Sequence, residues 1–272
     1  MTQGFLLFSY NNEQFDYGKM ARWSARRIKR WLDKPTTLVT DAATVQQLNN
    51  STPQWKRDFD SLLAIQKVPQ LNTLRIINDH TEGLKLGRPS PYAHVADNDL
   101  AVGMFVDYLS KSSIWKESVV FVVEDDAQNG PDHVDAHRST IYIAGGFVKR
   151  GFVDHTPYST SSVLKTIELI LGMPPMSQYD AGATSLWRCF DKTANAKGFT
   201  MKPLQADINE INTVHSAMQR KSETFNFKKE DSINDNDFNE VLWKGLRGEN
   251  ARVPAPKRAA FLKMNVKKDT DD

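Results

Sequence analysis

Short apolar runs alternate with segments of helical periodicity along most of the chain. Runs of strand length occur at 4–10, 36–40, 74–77, 118–123 and 140–144. Apolar residues recur at the three- and four-residue spacing of amphipathic helices at 18–32, 42–50, 55–65, 95–110, 159–171 and 235–245. Strands that alternate with helices are typical of an α/β domain.

The run SVVFVV at 118–123 is apolar at nearly every position rather than at every second one. Such continuous runs are typical of parallel strands that are covered on both faces. We therefore expect a mostly parallel sheet flanked by helices.

Three segments differ in character. Residues 1–50 predict a β-α-β segment of uncertain origin, 51–200 carry most of the remaining strands and helices, and 201–272 form a polar tail with one predicted helix. A ligand-binding unit for a nucleotide sugar is one interpretation of 1–50. Two strands and a helix that simply complete the sheet are the favoured interpretation, because this segment lacks a glycine-rich phosphate loop.

Charge and composition remove several classes of partner. The 35 basic and 33 acidic side chains leave a net charge of +2, too small to favour nucleic acid or an anionic membrane surface. No apolar run approaches the ~20 residues of a membrane span, and no secretory signal is recognisable, so a cytoplasmic location is expected. Cys189 is the single cysteine, which excludes an internal disulfide, and it is expected to be a packed residue rather than a nucleophile.

Histidine and carboxylate residues concentrate between 79 and 155. Asp125 and Asp126 follow the predicted strand at 118–123 directly, and His133 and His137 come soon after in the string DHVDAH. Adjacent carboxylates at a strand end repel one another unless a cation is present, although acidic residues there can also cap a helix or face water. Imidazole and carboxylate together predict a divalent metal site for Zn, Mn, Mg or Ca. His94 is expected at the surface or at a helix entry, and His215 in solvent.

Four longer strings carry a specific resemblance. They are RIINDHTEG, VADNDLAVG, FVVEDDAQNGPDHVDAHRST and VDHTPYSTSSVLKTIELILGMPPMSQYD. Together they resemble the C-terminal half of phosphoesterase-family proteins, which are related to acid phosphatases and phospholipases C of the alkaline-phosphatase superfamily. The resemblance implies an alkaline-phosphatase-like fold and a phosphorylated small molecule or lipid as substrate.

The resemblance also implies roles for individual residues. Asp125 and Asp126 would bind a metal ion, with Asp79 or His80 contributing from an earlier strand end. His137 would be the last ligand, with His133 as the next candidate. Further out, the residues expected to orient those ligands are Asp132, Asp135 and His155.

The N-terminal part departs from the family pattern. Family enzymes carry an acidic ligand and a Ser or Thr nucleophile ahead of the matching region, and residues 1–70 show no such context. Ser24, Thr36 and Thr37 are candidates by residue type only. We therefore expect a fold truncated at its N-terminal side, with an exposed sheet edge through which the chain can self-associate.

Two functions follow from these observations. The first is a metal-dependent phosphoric-ester hydrolase, weak because the nucleophile segment is missing. The alternative is a non-catalytic metal-binding or structural remnant of a phosphoesterase. Family members are mostly exported, which contrasts with the location expected from the N-terminus.

Overall fold

The computed structural model describes residues 37–42, 54–76, 81–124, 135, 137–228, 232–255 and 257, and the backbone alone at 37–42. The described chain is a mixed α/β protein. Its helices are α1 (Gln54–Ala64), α2 (Pro91–Leu109), α3 (Thr160–Leu171), α4 (Gln178–Gly182), α5 (Ala217–Glu223) and α6 (Asp235–Arg247). Its strands are β1 (Thr37–Ala42), β2 (Asn72–Ile76), β3 (Val119–Val123) and β4 (Ile141–Gly145).

The strands form two pairs of opposite sense. β1 pairs parallel with β2, and β3 pairs antiparallel with β4. β3 is buried along Val119–Phe121, as its apolar sequence predicts, but its described partner runs opposite to the expected parallel one. The reason lies in the connection, because a parallel return needs a crossover that reaches the far end of the strand. Here the chain re-enters beside the end it left, with Val123 opposite Ile141.

Elements predicted at 4–10 and 18–32, and nearly all of that at 42–50, lie outside the described residues. The helices predicted at 55–65, 95–110, 159–171 and 235–245 are confirmed, with ends shifted by up to four residues. No helix in the described ranges is both long enough and apolar enough to cross a bilayer.

The chain divides into two compact units. The first comprises Met1–Thr81, Tyr92–Val123 and Ile141–Glu210, of which the ranges given above are described. The second comprises Glu82–Pro91, Glu124–Thr140 and Ile211–Asp272, with the same restriction.

Two apolar clusters form the core of the first unit. Phe121 of β3 is fully buried in one of them, against Val163 and Ile167 of α3 and Leu186. Trp115 is buried in the other, where its ring meets the edge of Phe199 at 5.8 Å between centroids. Aromatic pairs at this spacing add to the free energy of burial.

Helix α3 shows why local sequence fixes some elements well. Ser159 precedes its first turn, and the Ser159 amide donates to Ser162 Oγ at 3.1 Å. Gly172 ends the helix in the left-handed conformation, with φ of 69°. A serine before the helix and a glycine after it are standard boundary residues.

A close backbone approach requires glycine after β4. A Cβ atom at Gly146 would overlap the carbonyl oxygen of Lys116, and one at Gly145 would lie only 2.5 Å from the carbonyl oxygen of Ser118. Any side chain here would push the turn away from the segment that leads into β3.

In the second unit, one asparagine holds a loop together. The Asn212 side-chain amide donates to the carbonyl oxygens of Gly83 and Lys85 at 3.0 Å each and lies 3.3 Å from that of Pro89. Its backbone pairs with Gly87 and Arg88, both at 2.9 Å. The loop at 83–89 is therefore closed mainly by a residue more than 120 positions away.

Replacing this amide with a carboxylate tests the arrangement. Asn212→Asp keeps the shape but turns a donor facing three carbonyl oxygens into an acceptor, so we expect a loss of about 2–3 kcal/mol in the free energy of unfolding. Urea titration followed by circular dichroism measures it, with Asn209→Asp at an exposed position as the matched control. Equal stability of the two variants would contradict the role of the amide.

Candidate functional site

The segment expected to bind metal leaves and re-enters the fold at a single point. β3 and β4 end their ladder at the pair Val123 and Ile141. Immediately beyond, the Glu124 amide donates to the Thr140 carbonyl oxygen at 3.4 Å, and the Thr140 amide donates to Glu124 Oε2 at 3.2 Å. The two ends of 124–140 are therefore held together by hydrogen bonds.

His137 and Asp135 are the members of the predicted metal-site group in this segment that the structure describes. The His137 amide donates to Asp135 Oδ1 at 2.9 Å, and the same oxygen lies 3.3 Å from the ring atom Nδ1. A proton on Nδ1 facing this carboxylate leaves the lone pair on Nε2. The His137 side chain is 58% exposed.

The remaining predicted ligands lie outside the described residues. They are Asp79, His80, Asp125, Asp126 and His133, together with Asp132 as a predicted supporting residue. Within the described ranges, no three His, Cys, Asp or Glu side chains group in a way that could hold a metal ion. The convergence of these residues on one cation stays a prediction.

Around His155, the neighbouring aspartate makes the contacts. His155 itself is exposed. Asp154 Oδ1 accepts from the Thr156 hydroxyl at 2.7 Å and the Thr156 amide at 3.0 Å, and Oδ2 accepts from Tyr158 Oη at 2.9 Å. The Thr156 hydroxyl and amide, with Tyr158 and the nearby Arg188, lower the pKa of Asp154 to about 2. The sequence predicted a supporting role for His155 in the string VDHTPYS, whereas the hydrogen bonds of this turn are accepted by its neighbour Asp154.

Cys189 behaves as a packed residue. Its thiol is half-buried, with Sγ 3.9 Å from Asp154 Oδ2. Burial first, and then the negative charge of Asp154, raise the pKa of the thiol. A thiol that stays protonated is a poor nucleophile, in agreement with the expectation from sequence.

A pocket of about 370 Å³ lies in the first unit beside β4. Its wall includes Tyr142, Phe152 and Val153, and polar groups reach it from Lys149 and Asp154. Sequence reasoning missed this pocket because its residues come from a strand, a turn and segments up to Phe199. The one local signal was the string FVKRGFV, in which basic and large apolar side chains are interleaved.

No protein-family model matches the chain, and no curated protein sequence matches it. The likeness to phosphoesterases therefore rests on the four strings quoted above.

Two carboxyl groups are buried together where α3 and α4 meet. Glu168 and Asp180 are each 2% exposed. The Met176 amide is shared between Asp180 Oδ2 at 2.6 Å and Glu168 Oε1 at 3.2 Å, and Ser177 Oγ donates to Asp180. Burial, and then hydrogen bonding to Asp180, raise the pKa of Glu168 to about 7. Burial also acts to raise the pKa of Asp180, but hydrogen bonds from Glu168, Ser177 and Met176 outweigh it and lower that pKa.

His94 occupies an unexpected environment. It lies in the first turns of α2, so the expected helix entry is correct, but it is buried rather than at the surface. Among the residues that the structure describes, neither ring nitrogen finds a hydrogen-bond partner. Because Pro91 occupies the first helical position, α2 begins ahead of His94. His94 therefore lies within the helix, where its side chain is buried. His215 is exposed, as expected.

Proposed function

We propose that this protein is a metal-dependent phosphoric-ester hydrolase built on an alkaline-phosphatase-like fold with a mostly parallel sheet. One observation carries the proposal: the segment 124–140 has its two ends joined at Glu124 and Thr140. Along the chain, Asp125 and Asp126 directly follow Glu124 on one side of this junction. His137 shortly precedes Thr140 on the other side. Consecutive Cα atoms are about 3.8 Å apart, so these residues cannot be far from the junction.

The donor set suits a divalent cation. Asp125 and Asp126 offer anionic oxygens, and His133 and His137 offer imidazole nitrogens, which is the mixture that Zn and Mn accept. Support for His137 is the most direct, because Asp135 faces its Nδ1 and leaves Nε2 available. The contribution of Asp79 and His80 stays a prediction.

The residues of the segment have distinct tasks in this proposal. A bound cation would neutralise charge on the phosphoryl oxygens and lower the pKa of a coordinated hydroxyl or water. Asp125 and Asp126 hold the cation, and Asp135 keeps the His137 ring in the orientation that binds. The protein's own nucleophile is not assigned, so hydrolysis by water at a modest rate is the expected activity.

Carboxylate removal tests the proposal. The double variant Asp125→Asn, Asp126→Asn should lose metal-stimulated release of p-nitrophenol from bis(p-nitrophenyl) phosphate by about 100-fold or more, because both anionic ligands become neutral. Its uptake of Mn or Zn, measured by titration calorimetry, should fall in parallel. Asp235→Asn, at an exposed position in α6, is the control and should behave like the unaltered protein.

The outcomes separate the two functions considered. Metal-stimulated hydrolysis that depends on the two aspartates supports the hydrolase. Stoichiometric metal uptake with no hydrolysis by the unaltered protein contradicts it and favours the non-catalytic metal-binding remnant. Equal metal binding by the double variant would contradict the assignment of the ligands themselves.

A further inference from the structure

The pocket beside β4 is large enough for a small organic ligand. Its volume of about 370 Å³ lies within the range of about 300–1,000 Å³ of small-molecule sites. Tyr142, Phe152 and Val153 line it and remain 67%, 44% and 71% exposed. Large apolar side chains grouped at a concave surface are typical of a ligand site, because contact with an apolar ligand removes their surface from water.

Two of the charged groups at this pocket, Arg150 and Asp154, already have partners within the protein. The Asp154 carboxylate accepts from Thr156 and Tyr158 and lies 3.7 Å from Arg188 Nε. The Arg150 guanidinium donates to the Lys197 carbonyl oxygen and covers the Phe199 ring at 4.3 Å. The Asp154 carboxylate therefore has little capacity left for a ligand, and one face of the Arg150 guanidinium is occupied by the Phe199 ring.

Lys149 differs from them. Its Nζ atom lies 5.1 Å from the centroid of the Phe152 ring, and the described residues provide it with no side-chain hydrogen bond or ion pair. Its backbone is fixed by a 2.9 Å hydrogen bond from the Lys149 amide to the Cys189 carbonyl oxygen. Lys149 as a whole is half-buried and lines the cavity, and a lysine in the wall of a largely apolar cavity attracts an anion.

We propose that this pocket binds a small molecule with an aromatic or acyl body and one anionic group, which pairs with Lys149. The aromatic and branched side chains contact the apolar body, and the ammonium group selects for the negative charge. The proposal is independent of the metal-dependent hydrolase, because none of the residues that carry it belongs to the segment 124–140.

Three naphthalene probes of similar shape and different charge test this inference. At pH 7 and without metal, the full chain should bind 2-naphthalenesulfonate about tenfold more tightly than 2-naphthol, and 2-(aminomethyl)naphthalene should bind most weakly. Titration calorimetry measures the three affinities. Because the sulfonate is not a substrate for ester hydrolysis, failure here leaves the hydrolase proposal unaffected, and the reverse also holds.

Variants locate the binding. Lys149→Gln should reduce sulfonate affinity to that of 2-naphthol and leave the naphthol value unchanged, and Lys149→Arg should largely restore the sulfonate value. Lys202→Gln, at an exposed position that is not part of the lining, is the control. Tyr142→Ser should weaken all three probes. Unchanged sulfonate binding in Lys149→Gln, equal affinity for the three probes, or no saturable binding would each overturn the proposal.

Discussion

Phe121→Ala should lower the free energy of unfolding by about 3–5 kcal/mol, the usual cost of removing a buried aromatic ring. Phe121 lies in the middle of β3 and is fully buried, where it packs with Leu186 and with Val163 and Ile167 of α3. Loss of the ring leaves a cavity between the strand and the helix. A small domain is stable by only about 5–15 kcal/mol, so this one change would remove a large share of the total.

Phe147→Ala is the matched control for this variant. Phe147 lies just after β4 and is 40% exposed, so its ring should contribute less than about 1 kcal/mol. Urea unfolding, followed separately by tryptophan fluorescence and circular dichroism, gives both values and reveals whether the two units unfold together. Similar losses for the two phenylalanines would mean that Phe121 is not the centre of the cluster.

Glu168→Gln should make the protein more stable above neutral pH and leave it nearly unchanged near pH 5. In the folded protein the pKa of Glu168 is raised from 4.5 to about 7. The folded state therefore holds this proton more tightly than the unfolded chain does. The resulting stabilisation is complete below about pH 4.5 and is lost as the pH rises through about 7. The difference in pKa corresponds to about 3 kcal/mol.

Glutamine mimics the protonated acid, because its amide can donate to Asp180 as the acid hydroxyl does. The variant should therefore exceed the unaltered protein by about 1–3 kcal/mol at pH 8.5, since Lys165 partly offsets the charge of the ionised acid. Chemical unfolding at pH 5, 7 and 8.5 checks this. Glu117→Gln, at an exposed glutamate of the same unit, should show no such dependence. Parallel pH curves for all three proteins would show that Glu168 is ionised throughout.

The sequence could predict those helices whose ends and apolar face are encoded by residues close together in the chain. Ser159 and Gly172 mark the two ends of α3, and an apolar stripe with matching boundaries predicted α6. α2 starts earlier than its apolar pattern because Pro91 can occupy a first helical position. α5 was missed because its sequence, AMQRKSE, has no apolar stripe. Tertiary contacts secure it instead, including the 2.9 Å bond between the Leu84 amide and Ser222 Oγ.

The candidate sites also differ in whether their residues are close together in the sequence. A motif in consecutive residues predicted a metal-binding segment, and both metal binding and the convergence of its carboxylates and imidazoles remain predictions. The pair Glu168 and Asp180 was missed because the two residues lie on different helices, so only packing brings them together. The same holds for the pocket beside β4, where Lys149 and Phe199 are fifty positions apart. The antiparallel sense of the β3–β4 pair was also not predicted, because an apolar strand is compatible with either direction of its neighbour.

The joined ends at Glu124 and Thr140 have a consequence for how this protein can vary. Because the two ends of this loop are already in contact, the loop between them does not need a particular length. The entropic cost of closing a longer loop grows only slowly with its length. Insertions, deletions or complete exchange of the intervening residues should leave the strand pair in register. The framework and the chemistry it carries can thus be altered independently, which makes the hairpin a natural acceptor for grafted metal-binding or recognition loops.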